Sequence, residues 1–367
     1  MKIGLVRRGY SPTGGAEAYL LRLTGALVRA GHEVLLFSDR SWPEEALARP
    51  GVKFGQVAWP VNGARQFADV FRRLAPERGC DFILSLERVW ECDAYRAGDG
   101  VHAEWLDIRA RYEPRWRSFF RGFQPKHREI LALERSLFTG GAGRVIANSQ
   151  MVKKQIVARF GYPSERIEVV HNGVPPLPLP PGSREEMRRE LGLANDAYVL
   201  LFAGSGWDRK GLRFAIDAVN ASRSQPSLLV AGRGKLGSLP HSDRVRYLGP
   251  VSEMSRAFAT ADAFILPTLY EPFSNACLEA LAVGLPVLTT GHNGFAEIIE
   301  RGVEGEVFSD PRDIAKIAAA IDAWADPKRR AAIRPRLLEN AARFSIEENV
   351  RSTLAIIEKS RETVRTA

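Results

Sequence analysis

Sulfur is scarce in this chain of 367 residues, which holds three cysteines (Cys80, Cys92 and Cys277) and four methionines. An odd number of cysteines without metal-ligand spacing argues against a disulfide framework and against a cysteine-rich zinc site. Free thiols in a reducing cytoplasm are the expectation. Long apolar runs are also missing. None approaches the roughly 18–20 residues needed to cross a bilayer. The start, Met-Lys-Ile-Gly-Leu-Val-Arg-Arg, breaks its apolar run with charge too early for a signal peptide. No tract is of low complexity, and no short-period repeat occurs.

What is present is ordinary globular material, 45% hydrophobic and 26% charged. The length is comfortable for two domains. The net charge of +9 implies an acidic partner. Nucleic acid, anionic lipid and phosphorylated glycan all qualify, and charge alone does not choose among them.

Strand-like and helix-like patterns alternate. Ile3 to Val6 reads as a strand, and 16–30 as a helix with Ala16, Leu20, Leu23, Leu27 and Ala30 on one face and Gly31 as its stop. Glu33 to Phe37, Asp81 to Ser85, Arg144 to Asn148 and Ile167 to Val170 follow as buried strands. Between Gly173 and Gly182, five prolines in ten residues make a stiff segment that excludes helix. A second series begins beyond it: Tyr198 to Ala203, Ser227 to Val230, Val245 to Leu248, Ala263 to Pro267 and Leu285 to Thr289. Near-continuous apolar strands alternating with helices indicate parallel sheets covered on both faces. The expectation is an α/β chain of two doubly wound, Rossmann-like domains facing a cleft: residues 1–172, a linker at 173–182, and residues 183–345.

The most informative stretch is Glu271-Pro-Phe-Ser-Asn-Ala-Cys-Leu-Glu279. It places Glu271 in a strand-to-helix loop and Glu279 about one turn into the helix. Ser274 or Asn275 can cap that helix, whose free N–H groups and dipole then favour an anion. Two carboxylates beside an anion-binding terminus suit a ligand with hydroxyls at both ends and phosphates between, such as a nucleotide sugar. Two solvated glutamates would explain either residue alone, and explain the pair less well. Arg209-Lys210 follows another strand and Gly204-Ser-Gly-Trp-Asp208. Cations there stabilise a departing diphosphate as its charge grows. Gly14-Gly15 lies at the first strand-to-helix turn, where backbone can approach a ligand closely.

Glu271 to Val287 resembles the Glu-x7-Glu signature of the retaining glycosyltransferases of family four, which have the two-domain GT-B fold. Gly14-Gly15-Ala-Glu17, Ala30-Gly31-His32-Glu-Val34, His171-Asn172-Gly173-Val174 and Arg209-Lys210-Gly211 recur in that family in this order, so the resemblance runs through most of the chain. Within the family, it is nearest the lipopolysaccharide core glucosyltransferases.

The resemblance implies a role for each residue. Glu279 would accept hydrogen bonds from the ribose and Glu271 from the donor sugar, with the amides of Phe273, Ser274 and Asn275 facing sugar and phosphate. Arg209 and Lys210 would hold the diphosphate, and Gly14 and Gly15 would approach the donor. Asp99 and His102, in a glycine-flanked polar segment expected as a loop, would touch the transferred sugar. The final helix, 346–367, would pack back on the first domain. Transfer would be front-face, with the departing phosphate helping to deprotonate the acceptor. Asp-x-Asp, the common carboxylate grip for a metal on such donors, is absent from the sequence. The expectation is therefore catalysis without metal or cofactor.

Gly232-Arg-Gly-Lys-Leu-Gly237 is literally Gly-x-Gly-x-x-Gly, the dinucleotide fingerprint. No helix pattern follows it, and no acidic residue closes the next strand, so it fails that test. A glycine turn lining the base-binding region, with Arg233 near the donor, is the better reading.

From Arg109 to Arg128, seven cations alternate with large aromatics against one acidic residue, Glu113. Arg109, Arg115, Trp116, Arg117, Phe119, Phe120 and Arg121 suit a membrane interface, where cations meet lipid phosphates and rings settle at headgroup depth. Nucleic acid and a solvated helix are the rival readings. The core enzymes have a membrane-interacting segment at this place. A nucleic-acid partner explains the charge but not the glutamates, and is not expected. The reading assembled is transfer of a hexose from a UDP-sugar to a lipid-linked glycan on the anionic inner face of the cell membrane, by a cytoplasmic, peripherally bound enzyme. UDP-glucose leads as donor, ahead of UDP-galactose, UDP-N-acetylhexosamine and GDP-mannose.

Overall fold

The computed structural model describes residues 1–10, 15–43, 55–114, 124–237 and 239–365. The chain divides into two compact units, Met1–His171 with Glu347–Ala367, and Asn172–Ile346. In the first, seven parallel strands lie in the order β3-β2-β1-β4-β5-β6-β7. They are β1 (Lys2–Val6), β2 (Glu33–Asp39), β3 (Gly55–Trp59), β4 (Phe82–Ser85), β5 (Cys92–Ala97), β6 (Ala142–Ala147) and β7 (Ile167–Val169). In the second, six parallel strands lie in the order β10-β9-β8-β11-β12-β13. They are β8 (Val199–Ala203), β9 (Ser227–Ala231), β10 (Val245–Gly249), β11 (Ala263–Leu266), β12 (Val287–Thr290) and β13 (Gly305–Phe308).

Each sheet reverses its winding once, between β1 and β4 and between β8 and β11. Doubly wound sheets bind ligands outside the carboxyl ends of the strands at such a switch. The loops after β8 and β11, which carry Arg209-Lys210 and Glu271, stand at that position in the second unit.

Helices cover both sheets. Leu212–Ala221 buries Leu212, Ala215, Ile216, Ala218 and Val219 on β8 and its neighbours, whose residues are themselves buried. The C-terminal helix Ile346–Arg365 belongs to the first unit, where the hydroxyls of Tyr19 and Thr353 meet at 3.0 Å. No helix among the described residues is long and apolar enough to cross a membrane.

Three strands fall where the sequence pattern is weak. β5 contains Asp93 and Arg96, polar residues that a buried strand rarely tolerates. Asp93 lies at the exposed start of the strand and accepts the Ile83 N–H at 2.6 Å, while the buried Arg96 guanidinium lies over the Tyr19 ring at 4.2 Å. β3 and β13 are edge strands, half exposed and only partly apolar.

Candidate active site

In the second unit the chain leaves β8 through Gly204-Ser-Gly206, with φ of 148° and 75° at the two glycines, and turns into the single-turn helix Trp207–Lys210. Gly211 (φ 78°) stops it, and its backbone approaches β11 so closely that a Cβ would lie 1.9 Å from the Pro267 carbonyl oxygen. Thr268 Oγ1 and the Leu269 N–H both donate to the Arg209 carbonyl, at 2.9 and 2.8 Å. The β8 and β11 loops are thereby stitched together. Arg209 and Lys210 occupy the last turn of that helix, and a partner from the neighbouring loop holds them.

That partner is Glu271. Its Oε2 lies 2.7 Å from Arg209 Nη1 and 2.5 Å from Lys210 Nζ. Arg209 Nη1 also donates to the Tyr270 carbonyl at 2.8 Å. Burial by itself would raise the pKa of Glu271, but the charges of Lys210 and Arg209 outweigh it and hold the carboxyl below its usual value. The backbone of Glu271 is fixed on both sides, by its N–H to the His292 carbonyl and its carbonyl to the Gly294 N–H, each at 2.9 Å. One ionised carboxylate thus preorganises two cations at the sheet's switch point.

The helix Asn275–Ala282 begins four residues later. Ser274 is its cap, with Oγ accepting the Cys277 N–H at 3.3 Å. Glu279 stands one turn in. Asn275 uses its side-chain oxygen to accept from Asn172 Nδ2 at 2.8 Å. The Ser274 amide differs from expectation. It donates to Asn293 Oδ1 at 3.2 Å, so it is turned into the protein rather than towards a donor. Asn293 also receives the Phe295 N–H, and donates to Thr289 Oγ1 at 3.0 Å. It is the residue that shapes this loop, and sequence reading missed it, because its contacts cross from β12 to β11.

The Gly232–Gly237 segment forms no helix. Gly232 and Gly234 serve packing: a Cβ on Gly232 would lie 2.2 Å from the Gly204 carbonyl oxygen, and one on Gly234 2.3 Å from the Trp207 ring. Arg233 binds the same turn through its backbone, its carbonyl accepting the Gly206 N–H at 3.0 Å. Its side chain is exposed.

In the first unit, Asp99 follows β5 and is exposed, 3.7 Å from Arg88 Nη1. His102 lies outside the expected loop, since it opens the helix His102–Ala110. Its Nε2 is 3.0 Å from Nδ1 of His127. Burial, then the positive charge of Arg88 and the neighbouring His127 and Lys126, push its pKa down to about 4 against a raising pull from Asp99. At neutral pH His102 is therefore an uncharged imidazole, able to donate and to accept. Gly15 opens the first helix, Gly15–Arg29, where Glu17 is buried against Arg7 at 2.9 Å. Arg109 ends its helix paired with Glu113 and over the Trp105 ring at 5.8 Å. Gly14, Arg115, Trp116, Arg117, Phe119, Phe120 and Arg121 lie outside the described residues. No cluster of metal-ligating side chains occurs among the described residues.

Two family profiles match in tandem: "Glycosyltransferase Family 4" over residues 13–176 and "Glycosyl transferases group 1" over residues 197–326. The chain belongs to the family-four glycosyltransferases. It has the GT-B fold. Among curated relatives it is similar to D-inositol 3-phosphate glycosyltransferase 1 of Catenulispora acidiphila, 31% identical over 244 residues, which is 60% of this chain and 58% of that one. The match thus spans little more than half of that relative's length. The lipopolysaccharide glucosyltransferase WaaG of Escherichia coli is 26% identical, over 82% of this chain and 83% of its own. A crystal structure of WaaG superposes with a TM-score of 0.80 at 22% identity, covering 97% of this chain and 99% of the other. Anabaena Alr3699/HepE in complex with UDP-glucose superposes at 0.72 and 20% identity, covering both chains fully.

Proposed function

We propose that this glycosyltransferase moves a hexose, glucose first among the candidates, from a UDP-sugar to a hydroxyl of a lipid-linked glycan, with retention and without metal. The observation that carries the donor half is the convergence of Arg209 and Lys210 on Glu271, at 2.7 and 2.5 Å beside a capped helix. Such a cation pair receives a diphosphate, and the carboxylate between them accepts hydroxyls of the attached sugar. Glu279, one turn along the helix, accepts the ribose hydroxyls. As the sugar bond breaks, charge accumulates on the diphosphate, and the fixed cations stabilise it most at that moment. The departing phosphate helps take the acceptor's proton, while Asp99 and the neutral His102 hold hydroxyls of the moving sugar. UDP-glucose as donor is supported by the HepE complex, and a lipopolysaccharide acceptor by the likeness to WaaG.

The relatives named for inositol 3-phosphate favour a second acceptor reading, a small phosphorylated polyol. Transfer from UDP-glucose to purified lipopolysaccharide inner core and to inositol phosphate, side by side, separates the two. The first reading expects product on the core glycan alone. Docking is tested by co-sedimentation with anionic and zwitterionic liposomes, for wild type and for a variant with Arg115, Arg117 and Arg121 changed to Glu. Cations near an anionic surface contribute about 1 kcal/mol each. Wild type should bind the anionic vesicles and the variant should not, with UDP-glucose hydrolysis unaltered. Wild type that ignores both vesicle types removes the membrane from the account.

A further inference from the structure

We propose that Glu134 and His127, on one face of the helix Pro125–Ser136, are positioning residues that set His102 for its contact with the transferred sugar. The inference rests on the placing of His102 at that sugar in the proposed function.

The helix His102–Ala110 has no cap of its own, since Val101 at its N-cap offers no side-chain acceptor. The first N–H groups of a helix need partners from elsewhere. Here the buried Glu134 carboxylate supplies them, Oε1 accepting from the His102 N–H at 2.6 Å and Oε2 from the Ala103 N–H at 3.0 Å. The buried Arg88 balances that carboxylate at 3.4 Å. The same guanidinium donates to the Gly100 carbonyl at 2.9 Å and lies 3.7 Å from Asp99. The loop carrying Asp99 and the helix start carrying His102 therefore share one anchor.

A serine at position 101 would have satisfied the same amides locally. A carboxylate delivered from another helix adds something a local cap lacks, because it locks the register between two helices. His127 completes the hold. Positions 127 and 134 are seven residues apart, two turns of helix, and so lie on one side of it. While Glu134 takes the backbone of His102, His127 takes its ring, Nδ1 to Nε2 at 3.0 Å. The uncharged His102 ring must donate at Nε2 where His127 Nδ1 accepts, or accept there where His127 donates. The contact therefore sets the ring's angle and ties its tautomer to that of His127. It leaves Nδ1 of His102 as the nitrogen that can meet a sugar hydroxyl.

The test is kinetic, with UDP-glucose as donor, and compares Glu134→Gln, His127→Ala and His102→Ala with the two doubles that combine His102→Ala with each of the others. Glu134→Gln keeps the side chain's shape while losing the charge opposite Arg88 and one of the two acceptor oxygens, and His127→Ala reports independently of it. Small misplacement of a reacting group costs roughly 10²-fold. Each single variant should lower kcat by about tenfold to a hundredfold, with UDP affinity by calorimetry unchanged. Neither change should slow the His102→Ala enzyme further, because a residue acting through His102 has nothing left to position. Losses that multiply in the doubles, or UDP affinity falling in step with kcat, overturn the proposal and leave both residues with a purely structural role. His102→Ala at the wild-type rate would overturn the placing of His102 at the sugar, and the inference with it.

Discussion

At the scale of the residue, the account turns on Glu271 and its two cations. Removing one member of a buried ion pair leaves a charge uncompensated, which is costly to stability and to function. Changing Arg209 or Lys210 to Ala should lower kcat/KM by about 10²- to 10³-fold, the scale of one lost electrostatic stabiliser. Near-normal kinetics in both variants would remove them from the site. His102 makes a separate prediction about pH. Its pKa is lowered from 6.5 to about 4, chiefly by burial. The folded protein therefore resists a proton that the unfolded chain accepts, and His102 contributes stability above pH 6.5 that is lost as pH falls towards 4. Ring NMR signals should show His102 neutral at pH 6. A midpoint near 6.5 would contradict its burial against His127 and Arg88.

At the scale of the element, the loop between β11 and the helix Asn275–Ala282 does the sorting. It places Glu271 before the helix and Glu279 one turn inside, so the two carboxylates should have separable tasks. Glu279→Ala should weaken UDP itself. Glu271→Ala should spare UDP, since the carboxylate no longer competes with a diphosphate for the two cations, yet weaken the intact donor and the chemistry. Calorimetry with UDP on both variants measures this, and equal losses would contradict the division.

Much of this was legible in the sequence, because local signals coincided: a buried apolar strand, Ser274 in capping position, and glutamates eight residues apart. The ion pairs to Glu271 were not. They join residues 61 and 62 positions apart, and only the sheet order brings β8 beside β11. Asn293, Glu134 and Arg88 stayed hidden for the same reason. A buried polar residue whose partners are backbone groups of another element leaves no periodic trace. β5 was lost because Asp93 and Arg96 both read as surface, whereas Arg96 is buried and its acceptance depends on Tyr19 in a neighbouring element.

At the scale of the molecule, two parallel sheets each present a switch point, and the second carries Arg209 and Lys210 paired on Glu271. The basic-aromatic stretch around residues 109–128 bears on where the enzyme works, whereas the central claim concerns what it does. That claim is sugar transfer from a nucleotide donor by fixed cations, without metal and with retention. The most direct measurement is transfer from UDP-glucose in excess EDTA to the lipopolysaccharide inner core, with the new linkage read by NMR. The account predicts undiminished turnover and an α-linked product, the configuration of the donor. Activity that disappears in EDTA and returns with magnesium or manganese, or a β-linked product, would contradict it.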